Sequence, residues 1–175
     1  MERTGPGVLV VGVDASQAGD AALHHAFTEA VLRGASLRVV VACPPAPPRA
    51  SGDGPLPVPD AGTVRRALAA LVRRHVDDVR PLVPGAADVE VDVRAVTGGP
   101  VEVLAGAARD ADLLVVGHRG RGARCGEPSG SIELGVVLHA SCPVTVVPAP
   151  VPGRTAFYET SPGPLPTGPI ARTAP

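Results

Sequence analysis

The chain contains no lysine, so all 16 of its basic residues are arginine. A Walker A loop needs a lysine after its last glycine to reach the phosphates, which excludes a P-loop kinase or ATPase by inventory alone. Tryptophan is also missing, and the aromatic complement is two Phe and one Tyr. With 17 acidic residues against the 16 basic ones, the chain has neither the electrostatic footprint nor the stacking platforms of a nucleic-acid binder. No uncharged apolar run approaches the roughly 18 residues needed to span a bilayer. The opening Met1-Glu2-Arg3-Thr4-Gly5-Pro6 has no basic segment followed by an apolar stretch, as a secretory leader would. The expectation is a cytoplasmic protein that engages neither nucleic acid nor membrane. Cysteine is sparse: Cys43, Cys125 and Cys142 are odd in number and nowhere spaced as a CxxC pair, which argues against a structural zinc site. A Gly-x-Ser-x-Gly elbow for a hydrolase nucleophile is absent too.

What the chain does have is aliphatic. Hydrophobic residues make up 45 % of the sequence but aromatics only 2 %, so the core must be built from Val, Leu and Ala. A parallel sheet covered by alanine-rich helices needs that composition. At 175 residues the chain suits one domain with extensions. Arginine-only basic usage, with abundant Ala, Gly and Pro, points by association to a GC-rich, bacterial genome.

Along the chain, the apolar, β-branched run Val8 to Val13 predicts a strand buried on both faces, ended by Asp14. Asp20 to Leu32, with Ala22, Ala26, Phe27, Ala30 and Val31 near helical spacing, predicts a helix that Gly34 stops. Leu37 to Ala42 is a second buried strand. Residues 43–62 carry seven prolines, an insertion-like loop in which no regular element is expected. Thr63 to Val79 reads as an amphipathic helix, with Val64, Leu68, Leu71, Val72, His75 and Val76 on its apolar face and Arg65, Arg66, Arg73 and Arg74 solvated. Val89 to Val96 alternates apolar with charged residues, which marks a half-exposed strand at a sheet edge. Pro100 opens a third helix and Leu113 to Val116 forms a fourth strand. Ser131 to Ala140 is a fourth helix, and Pro143 to Val147 the last strand. Beyond Pro148 the chain is a Pro-, Gly- and Thr-rich tail too poor in apolar residues to offset its ordering entropy.

This alternation predicts an α/β fold: an open doubly wound parallel five-stranded sheet of strand order 3-2-1-4-5, in which ligands sit beyond the carboxyl ends of the strands where the order reverses. Asp14 and Gly117 both fall there. The stretch after the fourth strand, Val116-Gly117-His118-Arg119-Gly120-Arg121-Gly122-Ala123-Arg124-Cys125-Gly126-Glu127-Pro128-Ser129-Gly130-Ser131, reads as an anion cradle. Its glycines are expected to take positive φ and leave amide N–H groups free for phosphate oxygens, and the helix mouth at Ser131 favours negative charge. A dinucleotide fingerprint is not present, because Gly120-Arg121-Gly122-Ala123-Arg124-Cys125 lacks the third glycine and follows the wrong strand. His118 lies inside the cradle, where its imidazole can reach ribose or phosphate. His24, His25, His75 and His139 read as packing or surface residues, and so does Cys142.

Gly117, two residues, Gly120, nine residues, then Gly130 and Ser131 before Ile132, followed by Cys142-Pro143-Val144, resembles the ATP-binding signature of the universal stress protein family. Val11-Gly12-Val13-Asp14-Ala15-Ser16 is similar to the family's opening strand and aspartate turn, and Gly99-Pro100-Val101 to its segment before helix three. The resemblance implies a Rossmann-like fold of the adenine nucleotide alpha hydrolase type over residues 1–150, with 151–175 as the tail. It implies that ATP or another adenine nucleotide, with Mg²⁺ as its companion cation, is held by Gly12, Val13 and Asp14, by Val41 or Ala42, by Val116, Gly117, His118, Arg119, Gly120 and Arg121, and by Gly130, Ser131 and Ile132. No catalytic residue or resident metal site is implied. A regulatory homodimer pairing strand 143–148 with its mate is expected, the alternatives being a nucleotide-free interaction module or a slow ATPase. The sequence departs from the family pattern at Cys125 to Ser129 and at Glu133. In the first helical turn Glu133 favours the dipole, whereas pointing toward the phosphates it would repel them unless Mg²⁺ intervened.

Overall fold

The computed structural model describes residues 6–14, 16–43, 45, 60–118 and 132–149. Five strands, β1 (Val8–Gly12), β2 (Ser36–Cys43), β3 (Val91–Thr97), β4 (Leu113–Gly117) and β5 (Val144–Val147), alternate with four helices, α1 (Gln17–Arg33), α2 (Ala61–Val79), α3 (Pro100–Ala107) and α4 (Ile132–His139). The strands form one sheet in the order β3-β2-β1-β4-β5, every pair parallel, as the alternation predicted.

Because side chains alternate across a strand, the buried central strands feed two cores. Leu9, Val11, Leu37, Val39, Leu113 and Val115 meet α1 and α2 through Ala22, Phe27, Val72 and Val76. Val10, Val40, Leu114 and Val116 meet α3 and α4 through Val103, Leu104, Ala108 and Val136. Leu9, Leu23, Phe27, Leu37 and Leu114 are fully buried, each contributing about 2 kcal/mol relative to exposure in water. The edge strand β3 alternates half-buried and exposed residues, in keeping with its charged pattern. Beside the sheet, Arg38 of β2 makes a two-pronged ion pair to Asp110 at 2.8 and 3.1 Å and also donates to Ala107 O.

Several boundaries differ from the sequence reading, each for a local reason. Helix α1 begins at Gln17, three residues before Asp20, because the Ser16 side chain caps it by accepting from Gly19 N. It ends where expected, at Gly34 with φ 59°. Helix α2 begins at Ala61 because Asp60 caps it, accepting from Thr63 N at 2.9 Å. Cys43, Ala61 and Gly62 therefore belong to the flanking elements and not to the proline-rich insertion. Val89 lies outside β3, its N–H bonded to Ala86 O in a 3₁₀ turn. The apolar face assigned to α2 is also corrected: Val72, Val76 and Val79 are buried, while Val64 and Leu71 are 46 % and 60 % exposed. Adjacent helical positions lie 100° apart, and here Val72 takes the position against the sheet while Leu71 falls on the solvent side.

Candidate functional site

Strands β1 and β4 lie side by side in register, Val11 against Val115. Asp14 and His118 thus each follow a paired position by three residues, at the carboxyl edge of the sheet. From β1 the chain winds toward β2, and from β4 toward β5, so a crevice opens between them. Such switch points are where open α/β sheets take ligands.

Asp14 is held there by a short relay. Ser16 Oγ donates to Asp14 Oδ1 at 2.5 Å and accepts from Gly19 N at 3.1 Å. One hydroxyl therefore caps α1 and orients the carboxylate, which ties the aspartate to the start of a rigid helix. Gly19 keeps the relay compact, since a Cβ there would stand 2.8 Å from Asp14 Oδ1. The sequence reading placed Ser16 in the turn that follows Asp14 but gave neither Ser16 nor Gly19 a role in the site, although an Asp-x-Ser turn before a helical run is a recognisable N-terminal signal.

Gly117 corrects an expectation. It is absent from the positive-φ glycines Gly34, Gly85 and Gly98 and lies in extended β4. Its requirement is space: a Cβ would come within 2.5 Å of Ala18 O and 2.6 Å of Ala18 C. The end of β4 presses on the backbone of the first turn of α1, and this contact draws the β1 and β4 halves of the crevice together.

His118 N donates to Val147 O at 2.7 Å, extending the sheet past β4. Its imidazole is half-exposed, with Nδ1 3.5 Å from Glu133 Oε1. Glu133 itself is 8 % exposed, the one buried charged residue among those described. Its carboxylate is therefore turned toward the tip of β4, which the sequence left open. Beside it, Ile132 packs on the α3–α4 core.

The other predicted residues divide clearly. The side chains of Val13, Val41 and Val116 are taken up by the two cores, while Gly12, Asp14 and Ala42 are half-buried. Of the pair Val41 and Ala42, only Ala42 retains substantial exposure at the end of β2. Arg119, Gly120, Arg121, Gly130 and Ser131, together with Cys125, lie outside the described residues. Away from the crevice, His75 Nε2 stands 3.0 Å from Asp20 Oδ1, close enough for charge pairing though not aligned as a hydrogen bond. His139 Nδ1 lies 2.8 Å from Gly135 O. Cys142 packs on the α3–α4 core, and burial pushes its thiol pKa up. No helix among the described residues is long and apolar enough to cross a membrane.

Fold and crevice together define an open parallel α/β domain with a crevice at the carboxyl ends of its first and fourth strands. The model of the universal stress protein family matches residues 7–148, and the chain belongs to that family. It is 30 % identical over 158 residues to a universal stress protein of Mycobacterium tuberculosis, an alignment covering 83 % of this chain and 50 % of the relative. The chain thus spans about half the length of the curated relatives it matches. Among solved structures, a universal stress protein in complex with cAMP is 27 % identical, with a TM-score of 0.58 over 81 % of this chain and 95 % of that one. UspA from Lactobacillus plantarum shares the fold with a TM-score of 0.63 at 23 % identity, over 83 % and 99 % of the two chains.

Proposed function

We propose that the chain binds an adenine nucleotide in the crevice between β1 and β4 and acts by binding and release, as a regulatory component of a stress response. The observation that carries this reading is the convergence of Asp14, oriented by Ser16, with Gly117 and His118 at the point where the strand order reverses. A carboxylate fixed in this way suits the hydroxyl or amino donors of a nucleoside, and the glycine-rich stretch from Gly117 to Ser131 suits its phosphate side. The cAMP-bound relative supports the adenine class.

The assembly we infer is a homodimer through β5. This strand has four residues and one sheet neighbour, β4, so its outer edge presents backbone donors and acceptors that natural sheets cover or blunt with charge. Val146 is 37 % exposed, and on the adjoining α4 Val137 and Leu138 are 50 % and 69 % exposed. A two-fold mate would cover both the backbone edge and this apolar surface.

Calorimetric titration with adenosine, AMP, cyclic AMP, ATP and GTP tests the nucleotide reading. Saturable binding of adenine ligands, weakened by Asp14→Asn, is the expected result. Guanine binding of equal strength, or no heat with any adenine ligand, would overturn it in favour of a nucleotide-free interaction module.

A further inference from the structure

Glu133 is the residue of the crevice that nucleotide binding does not explain. It is a carboxylate buried to 8 % exposure in the first turn of α4, where an incoming phosphate would otherwise find the positive end of the helix dipole. Its direction is set by the structure: Oε1 lies 3.5 Å from His118 Nδ1, at the tip of β4. The negative charge therefore stands on the crevice side of the helix mouth. Across the seam stands a second carboxylate, Asp14, held by Ser16.

We propose that Glu133 is a charge selector, so that the crevice takes adenine ligands of low negative charge, such as adenosine or cyclic AMP, and rejects free ATP. The proposal rests on the nucleotide-binding reading above and narrows its ligand class. A carboxylate already occupying the helix mouth cancels much of the dipole's attraction for phosphate and opposes each further negative charge brought beside it. At a separation of about 8 Å and an effective dielectric constant near 20, that opposition is about thirtyfold in affinity per added charge. Cyclic AMP carries one negative charge and free ATP about four near neutral pH, so the discrimination compounds along the series. Mg²⁺ lowers the net charge of ATP and should recover part of its affinity.

The experiment is calorimetric titration of the full chain and of Glu133→Gln with adenosine, cyclic AMP, AMP and ATP, the last with and without Mg²⁺. Glutamine keeps the side-chain shape and removes the charge, and the comparison holds the loop arginines constant. The wild-type chain is expected to bind adenosine and cyclic AMP at least about a hundredfold more tightly than Mg²⁺-free ATP. In Glu133→Gln, ATP should gain about thirtyfold or more while adenosine stays within about twofold. An equal change for adenosine and ATP, or none for either, overturns the selector and leaves the nucleotide site standing. If the wild-type chain binds neither adenosine nor cyclic AMP, the site falls and the selector with it. Should Glu133→Gln fail to fold, the wild-type series decides: affinity that rises from adenosine to Mg²⁺-free ATP overturns the proposal.

Discussion

Replacing Gly117 by alanine is the sharpest mechanical test of how the crevice is built. The added methyl would sit 2.5 Å from Ala18 O and 2.6 Å from Ala18 C, against an optimal carbon contact of about 3.5–4.0 Å. The obstacle is backbone in the first turn of α1, so no rotamer change relieves it, and β4 and α1 must separate by about 1 Å. Overpacking of this kind costs about 1–3 kcal/mol. For a domain of this size each kcal/mol moves the melting temperature by about 2–4 °C, so a cost near 2 kcal/mol predicts a loss of about 4–8 °C. Gly106→Ala is the matched control. Gly106 lies in α3 with nothing within 4 Å of an added Cβ, and alanine there should stabilise by about 0.5–1 kcal/mol through helix propensity. Thermal and guanidinium unfolding followed by circular dichroism would measure both. Separation of β4 from α1 also carries Ser16 and Asp14 away from His118, so adenosine affinity should fall in Gly117→Ala and stay unchanged in Gly106→Ala. A Gly117→Ala protein that melts at or above the wild-type temperature would refute the close approach and the account of the crevice that depends on it.

Three further outcomes follow from single contacts. Ser16→Ala removes both the cap of α1 and the donor to Asp14; it should cost about 1 kcal/mol in denaturant titration and weaken adenosine binding, while Ser16→Thr retains most of both. Burial, and after it the neighbouring His25, hold the pKa of His24 below the ordinary imidazole value. The fold therefore favours neutral His24; its stabilisation is complete above the unfolded value near 6.5 and is lost as pH falls through the lower folded value, so His24→Gln should flatten the decline in stability on acidification. Val146→Lys places a charge on the half-exposed edge of β5, and light scattering should show a dimeric chain becoming monomeric; a wild-type chain that is already monomeric at high micromolar concentration would refute the pairing.

The elements and their order were legible in the sequence because each rests on near-neighbour chemistry. Continuous apolar runs gave the buried strands β1 and β4, a run interrupted only by Arg38 gave β2, and charge alternation marked β3 as an edge. Gly34 stopped α1 because its left-handed φ needs a residue without Cβ. Alternation by itself fits more than one doubly wound order; the edge character of β3 and the family resemblance pointed to 3-2-1-4-5, and that order placed Asp14 and Gly117 at one crevice. Three features depend on contacts between distant segments, and local patterns carry no record of them. Gly117 is needed for the backbone of Ala18, 99 positions away in the chain, and not for a positive φ of its own. The α2 face that meets the sheet is chosen by the surfaces it packs against, which admit Val72 and Val76 and leave Leu71 in water. Glu133 satisfies the dipole of α4 whichever way its side chain turns. Packing against the tip of β4 is what brings its carboxylate to 3.5 Å from His118.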